Sequence, residues 1–156
     1  MKKFFGAVLS VVILLLCGSV WATDTVTVVK RMHSDSLWSR GIQEITWTYS
    51  SDDGTIAATG AITGITGIII GAKHEPGGTN TPDAAADYTV VDAASSGMDV
   101  LIGAGANIGA SRTIISPVES VNSGFVTVVN ETLYLAVASL GAGTNDGVFK
   151  LYIWLP

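Results

Sequence analysis

The sequence predicts an all-β fold: an antiparallel β-sandwich, jelly-roll or immunoglobulin-like, of about eight to nine strands behind a signal peptide. Three observations carry that reading. Short runs rich in Val, Ile, Thr and aromatic residues recur along the chain, divided by clusters of Gly, Ser, Asn and Asp. Several runs alternate apolar and polar residues with a period of two. No stretch carries an amphipathic helical repeat.

The 156-residue chain opens MKKFFGAVLSVVILLLCGSVWATDT. Lys2 and Lys3 form a positive start, Phe4 to Leu16 an apolar core broken only by Gly6 and Ser10, and Val20 and Ala22 precede the expected cut. The apolar run is shorter than the roughly 20 residues of a membrane helix. Residues 1–22 are therefore read as a signal peptide and 23–156 as one β-sandwich domain. Export to the periplasm, cell surface or medium follows, with no stable membrane span after cleavage. A retained N-terminal anchor is the alternative. Cys17 sits as in a lipoprotein signal, but Leu16 occupies the position where a small residue belongs, so Cys17 is assigned to the discarded segment. It is the sole cysteine. The exported domain thus has neither a disulfide nor a thiol nucleophile, and its stability must come from a packed core.

The strands follow in order. TVTVVKR (Thr25 to Arg31) alternates and starts the series. IQEITWTYS (Ile42 to Ser50) sets Ile45, Trp47 and Tyr49 on one face and Glu44, Thr46 and Thr48 on the other, as a half-buried strand requires. Asp53-Gly54 then makes a turn. Gly60, Gly64, Gly67 and Gly71 break the next apolar stretch every three or four residues. Gly disfavours helix there and β-branched Ile and Thr favour strand, so two strands are expected, Thr55 to Ile62 and Ile65 to Lys73, with a bend near Gly64. HEPGGTNTPDAA is a loop. DYTVVDA and MDVLIGA form a hairpin around ASSG, and GAGANIGAS is a loop of small residues. RTIISPV, SGFVTVVN, TLYLAVAS and GVFKLYIWLP complete the series, with Asn130-Glu131 and Asn145-Asp146-Gly147 as turns. In the last strand Phe149, Leu151, Ile153 and Leu155 share a face.

Candidate sites are few. Asp87, Asp92 and Asp99 punctuate DYTVVDAASSGMDVLIGAG, but the acids are too widely spaced for a calcium loop. Hairpin capping explains them better: Asp92 bonds backbone amides at the strand end, Gly97 takes a positive φ, and Asp99 starts the return strand. His33 and His74 are the only histidines, and neither a nucleophile elbow nor a zinc motif accompanies them. His74, beside a Gly-rich loop, is conceivable as the base of a hydrolase, but is read as a surface residue. Trp38 and Trp154 could stack on sugar, though core or interface packing explains them more simply. Asn130-Glu131-Thr132 matches a glycosylation sequon. No catalytic residue, metal ligand or cofactor site is assigned. The formal charge of −5 carries no basic patch, which argues against nucleic acid and anionic lipid as partners.

The middle of the chain, GIIIGAKHEPGGTNTPDAAADYTVVDAASSGMDVLIGAGANIG, resembles a family of small β-rich structural proteins of tailed phages and prophages. Pro76, Pro82, Tyr88, Asp92, Gly97, Asp99, Val100, Leu101, Gly103, Gly105 and Asn107 fall on that family's turn-and-strand pattern. VNETLYLAVASLGAGTNDGVFKLYIW is similar to its closing strand pair. The resemblance covers about residues 65–154. It departs in PDAAADYTVV, where the aspartate expected after the tyrosine is missing, and in the signal peptide, which is foreign to virion proteins. It implies a non-enzymatic virion component that works by self-association or by docking on a larger assembly. Gly60, Gly64, Gly67 and Gly71 are the expected contact with a neighbouring subunit. An exported filament or surface subunit, and a secreted carbohydrate- or ligand-binding module, are the other classes that the sequence allows.

Overall fold

A computed structural model describes residues 24–33, 41–116 and 126–155. The expected signal peptide and Trp38 lie outside them. The described residues form seven strands and no helix: β1 (Thr25–His33), β2 (Ile42–Ser51), β3 (Ile56–Pro76), β4 (Asp87–Val91), β5 (Thr113–Ile115), β6 (Thr127–Ala138) and β7 (Asn145–Trp154). All pair antiparallel in one hydrogen-bonded sheet of order β1-β2-β7-β3-β6-β4, with β5 also on β3.

Strand β3 organises the sheet. Its first half, Ile56 to Ile68, pairs with β6, and its second half, Ile68 to Pro76, pairs with β7. The glycines do not break it into two strands as expected. The chain stays hydrogen-bonded through Gly60, Gly64 and Gly67, which take positive φ and shift the register against β6. The turn expected at Asn130-Glu131 is likewise absorbed. Asn130 adopts the left-handed conformation within a continuous β6, and its N–H donates to Thr66 Oγ1 at 2.8 Å. Two expected strand pairs are thus two long, bent strands lying side by side.

This bending brings distant parts of the sheet together. Tyr88 of β4 is separated from β2 by three strands in the sheet order, yet its hydroxyl meets that of Tyr49 at 2.6 Å. Its ring also stacks on Phe149 of β7 with centroids 5.5 Å apart. Alternation supplies the core between them. Ile45, Trp47 and Tyr49 of β2, Phe149, Leu151 and Ile153 of β7, Leu133, Leu135 and Val137 of β6, and Tyr88 and Val90 of β4 are all buried. The Trp47 indole N–H reaches the Gly60 carbonyl at 2.7 Å, tying β2 to the first half of β3.

Candidate functional site

Asp87, Asp92 and Asp99 all bind backbone. Asp87 Oδ1 accepts the Asn107 N–H at 2.8 Å, and Asp92 Oδ1 accepts that of Met98 at 2.7 Å. Asp99 does most. Its Oδ1 accepts Val90 N–H (3.2 Å) and Leu101 N–H (3.0 Å), and its Oδ2 accepts Gly103 N–H (2.8 Å). The return strand expected at Met98 to Ala104 does not form. Asp99 makes a single bridge to Val91, and the chain then runs through consecutive turns to Asn107. Val100 and Leu101 are adjacent and both buried within these turns. The positive φ expected of Gly97 belongs instead to Ser96. Gly97 matters for space, since a Cβ there would collide with the Ala93 backbone.

The stapled loop lies along the outer edge of β4. Tyr88 N–H donates to Gly105 O (2.9 Å), Val100 N–H to Val90 O (2.7 Å), Asp92 N–H to Met98 O (3.3 Å) and Ile108 N–H to Ala86 O (3.1 Å). Together with the Asp99 carboxylate, these bonds occupy the groups with which β4 could extend the sheet. Gly105 permits the approach, because a Cβ would strike the Tyr88 carbonyl. One end of the sheet is therefore closed by its own chain.

The other end differs. Among the described residues β1 pairs only with β2, through nine residues from Thr25 to His33. Val29 is 48% exposed and Met32 53%. Lys30 and Arg31 are the charged residues of this strand, and no acid accompanies them. A strand with one unbonded side offers backbone donors and acceptors to another extended chain.

Three of the four glycines expected at a subunit contact are used inside the chain. A Cβ at Gly60 would meet Val26 and Trp47, one at Gly67 would meet Ile153 and the Trp154 carbonyl, and one at Gly71 would press on the Ile115 carbonyl. Gly64 alone faces open space. The close approach that these small residues permit is between strands of one chain.

His74 is not a surface residue, as the sequence suggested, but fully buried. Its Nε2 lies 3.0 Å from the Tyr49 hydroxyl and its Nδ1 3.3 Å from the Ser111 carbonyl. A neutral imidazole satisfies both: Nδ1–H donates to Ser111 O, Nε2 accepts from Tyr49, and Tyr49 accepts from Tyr88. Burial pulls the His74 pKa below its ordinary value. Burial also pushes Tyr49 up to about 12, against the lowering effect of the Tyr88 bond, with the nearby Asp146 charge adding to the rise. Tyr88 is raised by burial and by Tyr49. The cluster joins β2, β3, β4 and the loop before β5. All three side chains are buried, and their bonds tie these segments to one another.

On the outward face, Lys73 and Arg112 both pair with Glu75, Arg112 at 2.9 Å, and Lys150 lies 3.6 Å from Glu44. Lys73, followed by Arg112, holds the Glu75 carboxyl below its usual range. Beside them is an open cleft of about 310 Å³ lined by Ile70, Gly71, Ala72, Lys73, Ile114 and Tyr152 among others. Trp154 is half-buried, in register with Ile42 and Ile68. Among the described residues no three His, Cys, Asp or Glu side chains are placed to hold a metal ion. Among them, too, no helix is long and apolar enough to cross a membrane. No family model, curated protein or solved structure matches the chain.

Proposed function

We propose that this chain is a non-enzymatic building block, a phage-like virion component that works by self-association or by docking on a larger assembly. The observation that carries the reading is the difference between the two ends of the sheet. The β4 edge is sealed by the backbone bonds of its loop and by the Asp99 carboxylate, while among the described residues β1 pairs through its nine residues with β2 alone. Strand addition at an open edge needs no pocket and no reactive side chain. In this reading the bent sheet serves as the two layers of a sandwich, and residues 1–22 direct export, so a filament or surface subunit outside the cell would use the same edge.

Sedimentation of the wild-type chain across the micromolar range tests the proposal. Concentration-dependent assembly is expected. A species that stays monomeric and is retained by no larger particle would defeat it, and would move a ligand-binding role for the cleft between Ile70 and Tyr152 ahead.

A further inference from the structure

We infer that the occupant of the β1 edge is β1 of a second copy, paired antiparallel about a two-fold axis through Val29. This rests on the assembly reading above and names its partner. Three observations lead to it. The sealed β4 edge offers no acceptor to the β1 of a neighbour, whereas two β1 strands can pair with each other, and such a like-with-like contact closes as a dimer.

The second observation concerns register. For the pleat to run on across the axis, residues on the same face must lie opposite each other, so the axis passes through a residue. Centred on Val29, all nine residues from Thr25 to His33 find partners. Centred on Lys30 or Arg31, a cation faces its own copy, which is unfavourable. Centred on Val28, the C-terminal end of each strand overhangs without a partner. The two cations thus exclude the registers centred on themselves, and among the others the Val29 register pairs the whole of β1.

The third observation concerns side chains. In the Val29-centred register Val28 faces Lys30 of the second copy, Thr27 faces Arg31, and Val26 faces Met32. Val26 and Val28 are half-buried against the core of their own chain, in register with Tyr49 and Trp47. Met32, 53% exposed in the single chain, would cover Val26 of the neighbour. The exposed Val29 would meet its own copy on the outward face.

Thiol pairing in the full-length chain, with Cys17→Ser as background, tests both partner and register. Val29→Cys should give a disulfide-linked dimer on mild oxidation. Thr27→Cys and Arg31→Cys should each link poorly alone and efficiently when mixed. Val29→Lys should weaken association several-fold while circular dichroism stays β-type. Sedimentation should stop at a dimer. If wild type assembles but the Val29→Cys thiol stays reduced, or the mixed pair links no better than its parts, or assembly runs past the dimer, the two-fold pairing is wrong and the assembly reading survives. If wild type neither self-associates nor joins a larger particle, both fall.

Discussion

Burying an imidazole between two phenols and a carbonyl fixes which proton each group carries, and that choice has measurable consequences. Tyr49 stands in the middle of the chain of hydroxyls, so Tyr49→Phe strands both the His74 Nε2 and the Tyr88 hydroxyl. Two buried groups without partners should cost about 2–3 kcal/mol. Tyr88→Phe removes only the terminal donor and should cost about 1 kcal/mol. Urea titration that ranked the two the other way round would reject this order of donors. The pH dependence follows from the same site. His74 has a folded pKa below its ordinary 6.5, so the unfolded chain binds the proton first as pH falls. Its contribution is complete above that value and is lost as pH drops through it toward the folded pKa. Melting temperature should therefore decline between about pH 7.5 and 5.5, and His74→Gln should flatten that slope. At the alkaline end the raised Tyr49 pKa has the opposite sign: stability is kept below 10.0 and lost as pH climbs toward about 12.

At the scale of elements, the loop from Asp92 to Ile108 is a latch on β4, and Asp99 is its pin. Asp99→Ala removes the acceptor for three backbone N–H groups. A loss of about 1–3 kcal/mol is expected, with faster amide exchange at Val90, Leu101 and Gly103. Calcium should leave the melting temperature of wild type where an equal ionic strength of sodium chloride leaves it. A saturable calcium shift abolished by Asp92→Ala would show that the aspartates do more than staple. Along β3 the glycines divide by surroundings. Gly64→Ala meets nothing and should cost only the roughly 1 kcal/mol of a left-handed backbone, whereas Gly67→Ala also collides with Ile153 and Trp154 and should cost more. Equal losses would contradict these surroundings. The same elements show what the sequence could tell. Strands β2 and β7 were legible because Ile45, Trp47 and Tyr49 of the one and Phe149, Leu151 and Ile153 of the other fill alternate positions against one core. The length of β3 was not, because its glycines look like breaks when their hydrogen-bonding partner is unseen. The run Met98 to Ala104 imitates a strand in composition, and only its local bonds, Ile102 N–H to Asp99 O at 3.2 Å and Ala104 N–H to Leu101 O at 3.0 Å, reveal the turns. His74 was missed because Tyr49 and Tyr88 lie far from it along the chain and cannot be assigned to it by spacing.

For the molecule as a whole, the question is whether a single bent sheet behaves as one unit. In hydrogen-bonding order β4 and β6 lie beyond β3 from β2 and β7, so the ladder alone would let them unfold first and leave the rest paired. The packing argues otherwise. Tyr88 of β4 rests on Phe149 of β7 and shares hydroxyl bonding with Tyr49 of β2, while β3 runs unbroken through both parts. Removing β4 would uncover these rings and strand a buried histidine network, a larger penalty than the ladder bonds alone. Long-range pairing reinforces this, since Ser51 faces Asn145 and neither part is assembled from local hairpins only. Native-state hydrogen exchange under mild denaturant should accordingly show one cooperative opening, with the most protected amides of β4, β6, β2 and β7 converging on the same free energy. Tyr88→Ala should then lower protection in β7 as much as in β4. Early exchange confined to β4 and β6, with β2 and β7 still protected, would mean that the bend in β3 is a joint between two separately stable halves, and that the aromatic contacts across it contribute little.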